Sequence, residues 1–289
     1  MDFYGFYTGT EFHAHEYLGA HVTDDGVVFR VFAPAASGIE VIGEFNEWNG
    51  DPMNKIYDGN FWECVIPTAK VGQMYKYRIY DQNGGCLDRC DPYGRRMELR
   101  PHSASIICGG GKQKFTDEKW LKTRDGGLDK PLNIYEIHAG SWRCKPDEED
   151  QKDVAEHWYN YRELADLLVP YLKENHYHYV EMMPLAEHPS DESWGYQISG
   201  FFSPTSRYGT PDDLKYLVNK CHNAGIGVIM DFVPVHFAVD DYALWNFDGT
   251  ALYEYPHGDV GKSEWGSCNF MHSRGEVRSF LQSAADYWL

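Results

Sequence analysis

The chain has 289 residues, 43% of them hydrophobic and 16% aromatic, with a formal net charge of −18. That length allows two domains with a sizeable core, the apolar content excludes a disordered chain, and the acidic balance argues against nucleic acid or an anionic membrane as a partner. No run approaches the ~20 apolar residues of a transmembrane helix, and residues 1–7 lack the basic-then-apolar pattern of a signal peptide. Seven cysteines, an odd number without a CxxC, predict reduced thiols in a cytoplasmic setting and no metal site.

Residues 1–108 read as all-β. Segment 26–32 reads as a strand ended by Ala33-Pro34, segments 39–45, 61–66 and 74–80 alternate apolar and polar residues, and turn clusters separate them at Asp24-Asp25-Gly26, Ser37-Gly38, Asp58-Gly59-Asn60 and Asn83-Gly84-Gly85. Short strands at this spacing predict an N-terminal immunoglobulin-like β-sandwich. Residues 109–131 read as a linker. Its glycine run, with Lys112, lacks the pattern of a phosphate loop, because Ile106 and Gln113 stand where Gly and Ser or Thr are needed.

From residue 132 to 289 the pattern changes to strand, then helix. A strand over 132–138 precedes a helix whose Leu164, Leu167, Leu168, Tyr171 and Leu172 share one face, with Asn160 and Glu163 as its capping pair. A second strand spans 179–183. Thr210 and Pro211 open a second helix carrying Leu214, Leu217, Val218 and Cys221, which stops near Gly225. The third strand, Val228–Val233, is a near-continuous apolar run of the kind buried on both faces of a parallel sheet. Ser273 and Glu276 predict the cap of a last helix with Val277, Phe280, Leu281, Ala284 and Trp288 on one face. Three such units predict the start of a (β/α)8 TIM barrel. A whole barrel takes ~250 residues, and only 158 (289 minus 131) follow Pro131. The expectation is therefore an incomplete barrel with an open, association-prone edge at its third strand; the alternative is a complete three-stranded α/β domain.

The segments after these strands are expected to meet at one end of the sheet, where α/β barrels put their chemistry. They carry His138, then Glu187, His188, Trp194 and Tyr196, then Asp231 and His236, with Asp240, Asp241 and Tyr242 beyond. An acid inside an apolar strand costs several kcal/mol, of order 2–7, unless something uses it. Carboxylates and imidazoles suit sugar hydroxyls, and aromatic faces suit pyranose rings. Each residue also has a plainer reading. His138 fits a satisfied core histidine equally well, Tyr196 fits packing, and Trp48 and Trp62 in the sandwich fit core packing better than sugar platforms.

The segments "YEIHAGSWR" (135–143), "SWGYQISGFF" (193–202), "GIGVIMDFVPVHF" (225–237) and "FDGTALYEY" (247–255) resemble the α-amylase superfamily, glycoside hydrolase family 13, and within it the 1,4-α-glucan (glycogen) branching enzymes. "FRVFAPAASGIEVIGEFNEWNG" (29–50) and "DPYGRRMELRPHSASII" (91–107) resemble the family 48 carbohydrate-binding module that precedes the barrel in such enzymes. The resemblance implies cleavage of α-1,4 and formation of α-1,6 links in glycogen or amylose, by an aspartate nucleophile and a glutamate acid/base about 5 Å apart, with no cofactor. It implies that Asp231, His236 and Tyr196 hold the glucose at the cleavage point. The nucleophile belongs to a Gly-x-Arg-x-Asp-type segment, which does not occur among the 289 residues, so the catalytic carboxylates are expected beyond Leu289 and this chain alone is expected to be inactive. Val235 stands where the family carries a small residue before the histidine. A debranching or hydrolytic relative (isoamylase, trehalohydrolase) and a non-catalytic glucan-binding chain are the alternatives.

Overall fold

Two antiparallel sheets form from the N-terminal strands in a computed structural model that describes residues 1–124, 129–146, 157–256 and 258–289. The strands are β1 Gly19–Thr23, β2 Gly26–Phe32, β3 Gly38–Gly43, β4 Asp51–Pro52, β5 Asn54–Ile56, β6 Phe61–Ile66, β7 Met74–Tyr80, β8 Cys86–Arg89 and β9 Ser105–Ile106. One sheet runs β1-β2-β6-β5. The other runs β4-β3-β7-β8, with β9 also on β7. The expected bounds of β2, β6 and β7 are the observed ones, and in β7 period-two burial fixes them. In β7, Tyr75, Tyr77 and Ile79 are buried while Lys76 and Arg78 are not. Each large apolar side chain so buried contributes about 1.5–3 kcal/mol.

The chain divides into two compact units. The first holds residues 1–109, 186–203 and 233–289, and the second holds 110–185 and 204–232. The first unit thus carries the sandwich together with much of the later chain. It includes helix α1, Phe3–Thr8, which the all-β reading missed. Its aromatic sequence has strand propensity, yet Gly5 and Phe6 are buried. The Ser279 hydroxyl donates to the Gly5 and Phe6 carbonyls at 3.3 and 3.0 Å, and a Cβ at Gly275 would lie 1.7 Å from the Tyr7 carbonyl oxygen. Tertiary packing wins over propensity there.

The second unit contains α2, Glu118–Thr123, and three parallel strands: β10 Ile134–Ile137, β11 Tyr179–Met182 and a third at Gly227–Met230, in the order first, second, third. Helix α3, Tyr161–Glu174, and helix α4, Pro211–Asn223, form the crossovers. Helix α3 carries the expected capping box, with Asn160 accepting from the Arg162 and Glu163 backbone N–H groups. Thr210 is the expected N-cap of α4 ahead of Pro211 and accepts from the Asp213 N–H, in a capping box with Asp213 that the sequence reading did not include. Arg162 and Asp213 pair across the two helices. Val180, Met182 and Ile137 are buried on one face of the sheet.

Short pairs complete the first unit: β12 Ala186–Glu187 with β13 Gly200–Pro204, and β15 His236–Phe237 with β16 Cys268–Asn269. With these, the Gly227–Met230 strand is β14. Helix α5, Gly258–Gly261, is a single turn, and α6 spans Gly275–Trp288. Two local expectations are corrected. Strand β14 stops at Met230 rather than Val233, because pairing to β11 ends one residue on, where the Asp231 N–H donates to the Met182 carbonyl. Ser273 does not cap α6. Arg274 holds the extended N-cap position, and the Ser273 carbonyl instead accepts from Arg278.

Candidate functional site

His138 and Asp231 lie one residue past β10 and β14, and both belong to the second unit. The register Ile137, Met182, Met230 puts them at the same end of the sheet with β11 between them, about 10 Å apart at ~4.8 Å per strand step. This is the carboxyl end of the strands, where α/β barrels place their chemistry. His138 Nδ1 lies 2.9 Å from the Ser141 hydroxyl, which orients the ring. On the open face of the same sheet, Glu136 stands directly beside Glu181. The acids in "YEIH" and "VEMM" were legible as strand residues, but only the register makes them neighbours.

The other expected residues belong to the first unit. His236 opens β15, and its Nε2–H donates to the Tyr196 carbonyl at 2.9 Å. That fixes the tautomer of the neutral ring and leaves Nδ1 as an acceptor. The Ala238 N–H donates to the Ile198 carbonyl at 2.9 Å, so β15 and the 194–198 segment are pinned together. Trp194 sits in the left-handed region at φ 53° with its side chain 57% exposed. A bulky residue there is strained by about 1–3 kcal/mol, and the outcome is a flat ring presented to solvent. Gln197 Nε2 donates to the carbonyl of Trp265, another exposed indole. In the sandwich, Trp62 is core, its indole N–H donating to the Ala33 carbonyl, whereas Trp48 is 39% exposed at φ 62°.

Glu187 and His188 are 4% and 3% exposed. The Glu187 carboxylate accepts from the His188 N–H at 3.1 Å, and His188 Nδ1–H donates to the Ala186 carbonyl at 2.9 Å. Both line a cavity of about 230 Å³ together with Arg100, His102, Asp240 and Tyr242. Arg100 grips Asp191 with Nε at 2.7 and 2.8 Å and Nη2 at 2.5 Å, the forked geometry that guanidinium and carboxylate favour. Tyr242 is anchored through its carbonyl, which accepts from the Cys90 N–H at 2.7 Å. Burial raises the Asp240 acid above its ordinary pKa, reinforced by the neighbouring Asp241 charge. Of these, Arg100 and His102 were not singled out from the sequence. The signal was the polar "RPH" at 100–102 closing an otherwise β-patterned domain.

Comparison with known proteins gives this geometry a context. Residues 17–94 match the model described as "Carbohydrate-binding module 48 (Isoamylase N-terminal domain)", and residues 166–247 match "Alpha amylase, catalytic domain". The chain is 46% identical over 292 residues to the 1,4-alpha-glucan branching enzyme GlgB of Fusobacterium nucleatum, covering 100% of this chain and 46% of that protein. It is 45% identical to the GlgB of Nitrosomonas eutropha, covering 100% and 40%. The chain thus spans less than half the length of these curated relatives. Among solved structures, the catalytic module of the glycogen-degrading pneumococcal virulence factor SpuA matches with a TM-score of 0.72 at 17% identity, over 93% of this chain and 44% of that one. A pullulanase from Paenibacillus barengoltzii complexed with maltotriose matches with a TM-score of 0.71 at 20% identity, over 94% and 46%. Both likenesses establish the fold.

Proposed function

This chain is a homologue of the 1,4-alpha-glucan branching enzymes over its whole length, and we propose that it works as the glucan-holding part of such an enzyme. The reaction is cleavage of an α-1,4 link and transfer of the freed chain to a 6-hydroxyl, forming an α-1,6 link with retention. An aspartate attacks the anomeric carbon while a glutamate protonates the departing oxygen. The 6-hydroxyl of a second chain then displaces the aspartate, with the glutamate now accepting its proton. Neither carboxylate has a match among the 289 residues. The residues present do the holding. In the second unit, Asp231 binds glucose hydroxyls and His138 lines the path of the chain; in the first unit, His236 binds glucose hydroxyls, Tyr196 stacks on a glucose ring, and Trp194, Glu187 and His188 line the path of the chain.

The observation that carries this reading is the whole-length similarity, with identity of 46% running through both the sandwich and the barrel segment. Substrate is glycogen or amylose, without nucleic acid or membrane. No helix among the described residues is long and apolar enough to cross a membrane. Trp48, exposed on the sandwich, offers a second place for a glucan ring. The domain division we propose is a carbohydrate-binding module over 1–108, a linker over 109–131 and the start of a catalytic barrel over 132–289.

Calorimetric titration of the 289-residue chain with maltoheptaose tests the reading. Binding is expected, and His236→Ala together with Tyr196→Ala is expected to weaken it at least tenfold, since losing a desolvated hydrogen bond and a stacking face removes about 1.5–3 kcal/mol. A chain that binds no maltoheptaose contradicts it.

A further inference from the structure

The cavity lined by Glu187 and His188 draws on three separated segments of the first unit. Arg100 and His102 come from the end of the sandwich, Glu187 and His188 from β12 and the residue after it, and Asp240 and Tyr242 from the loop after β15. Its volume of about 230 Å³ equals seven or eight waters at ~30 Å³ each. That is room for one six-membered sugar ring. It falls short of the ~300 Å³ at which pockets for larger ligands begin.

The lining chemistry narrows the occupant. Three carboxylates, Glu98, Glu187 and Asp240, face a single guanidinium, Arg100, and that guanidinium is already engaged by Asp191. An anionic ligand, such as a sugar phosphate, would meet net repulsion. The Asp240 carboxylate is half-buried, and no side chain among the described residues donates a hydrogen bond to it. The hydrogen bond it has comes from its own backbone N–H, and a half-buried acid with so little support is costly unless a ligand supplies another donor. A sugar hydroxyl is such a donor. Met97, Pro101 and Pro189 add apolar surface beside Tyr242, matching the mixed polar and CH character of a pyranose.

We propose that this cavity is a binding subsite for a single neutral glucosyl unit of an α-glucan, with Asp240 accepting a hydroxyl proton, His102 at its mouth and Tyr242 against the ring. The proposal rests on the glucan reading above and adds that the sandwich itself, through 100–102, helps to hold the chain. The side chain of Asp191, by fixing Arg100, is a positioning residue for it.

The test uses the 289-residue chain, methyl-labelled at methionine. Maltoheptaose is added while the buried Met97 methyl resonance is followed by NMR and affinity is read by calorimetry. The Met97 signal is expected to shift on titration. Asp240→Asn and, independently, His102→Ala at the exposed rim are expected to weaken binding by about tenfold and about threefold, the charged acceptor contributing more than a rim donor. Glucose 6-phosphate is expected to leave the Met97 signal unmoved. If maltoheptaose binds while Met97 stays unmoved and both variants bind within twofold of the parent, the subsite is wrong and the glucan reading stands. If glucose 6-phosphate moves Met97 and maltoheptaose does not, the cavity takes an anion and the proposal is overturned. If the parent binds no glucan at all, the reading beneath it fails first.

Discussion

The two units are built on opposite principles. In the second, strand, helix and strand follow one another along the chain as β10, α3, β11, α4 and β14, and its longest ties among the described residues reach about 100 positions, as in the 2.6 Å pair of His222 with Asp117, 105 residues apart. In the first, the ties are remote. The His15 N–H donates to the Ser283 hydroxyl 268 residues away at 2.9 Å. The Asp248 carboxylate accepts from the Ala35 N–H at 2.9 Å. The fully buried Arg89 donates to the Asn246 carbonyl at 2.6 Å. A locally assembled unit fails where a cap or turn fails. A remotely assembled one fails where two distant surfaces no longer fit, and its cavities, made of three chain segments, fail with it.

The sharpest way to break this comparison is Gly275→Ala. A methyl group 1.7 Å from the Tyr7 carbonyl oxygen forces α1 away from α6, and overpacking of this kind costs about 3 kcal/mol. Urea unfolding is expected to show that loss, and hydrogen exchange is expected to place it at residues 3–8 and 275–288 while β10, β11 and β14 keep their protection. Uniform loss across both units would erase the distinction.

Asp91 sharpens it within the sandwich. Burial pushes its acid up to about 6, although Tyr75 and Tyr77 hydroxyls donate to it at 2.7 and 3.1 Å and the Tyr93 N–H at 2.9 Å. A carboxyl whose folded pKa lies above its unfolded value of about 3.9 binds its proton more tightly in the fold. Its contribution is therefore fully present below about pH 4 and is lost as pH rises through about 6, a change on the order of 2 kcal/mol. Other acids titrate too, so the readout is a difference. The stability of the parent relative to Asp91→Asn is expected to rise by that amount between pH 7 and pH 4. A flat difference would mean that the acid stays ionised.

The smallest effect belongs to the local unit. Thr210→Ala removes the side-chain acceptor for the Asp213 N–H at the start of α4 and is expected to cost about 1 kcal/mol. It should speed exchange in the first turn of α4 and leave α6 untouched.

The same contrast explains what could be read from the sequence. The bounds of β2, β6 and β7 were legible to the residue, β2 from its stop at Ala33-Pro34 and β6 and β7 from alternation, and the Asn160 and Thr210 caps were visible because a cap and the N1 or N3 residue that marks it lie within four residues. Helix α1 was missed because nothing in its six residues announces a partner at 275–283. Ser273 was misread as a cap because the backbone approach of Gly275 to Tyr7, not the serine, decides where α6 starts. In the candidate site, His138 and Asp231 follow from strand ends, and Tyr196 and His236 from the chain segments that come after the second and third strands. The pairing of Arg100 with Asp191, and the meeting of 100–102 with Asp240, needed the folded first unit, since 91 residues separate that ion pair.

The central claim is that these 289 residues hold an α-glucan without containing the carboxylates that cleave it. The direct measurement is incubation of the chain with amylose, counting new α-1,6 linkages by proton NMR against a boiled control. Holding residues without a nucleophile lose a factor of about 10⁴ to 10⁶ in rate, so no linkages above the control are expected. Linkages that accumulate in proportion to the chain would contradict the account, and would mean that a nucleophile is already present among these residues.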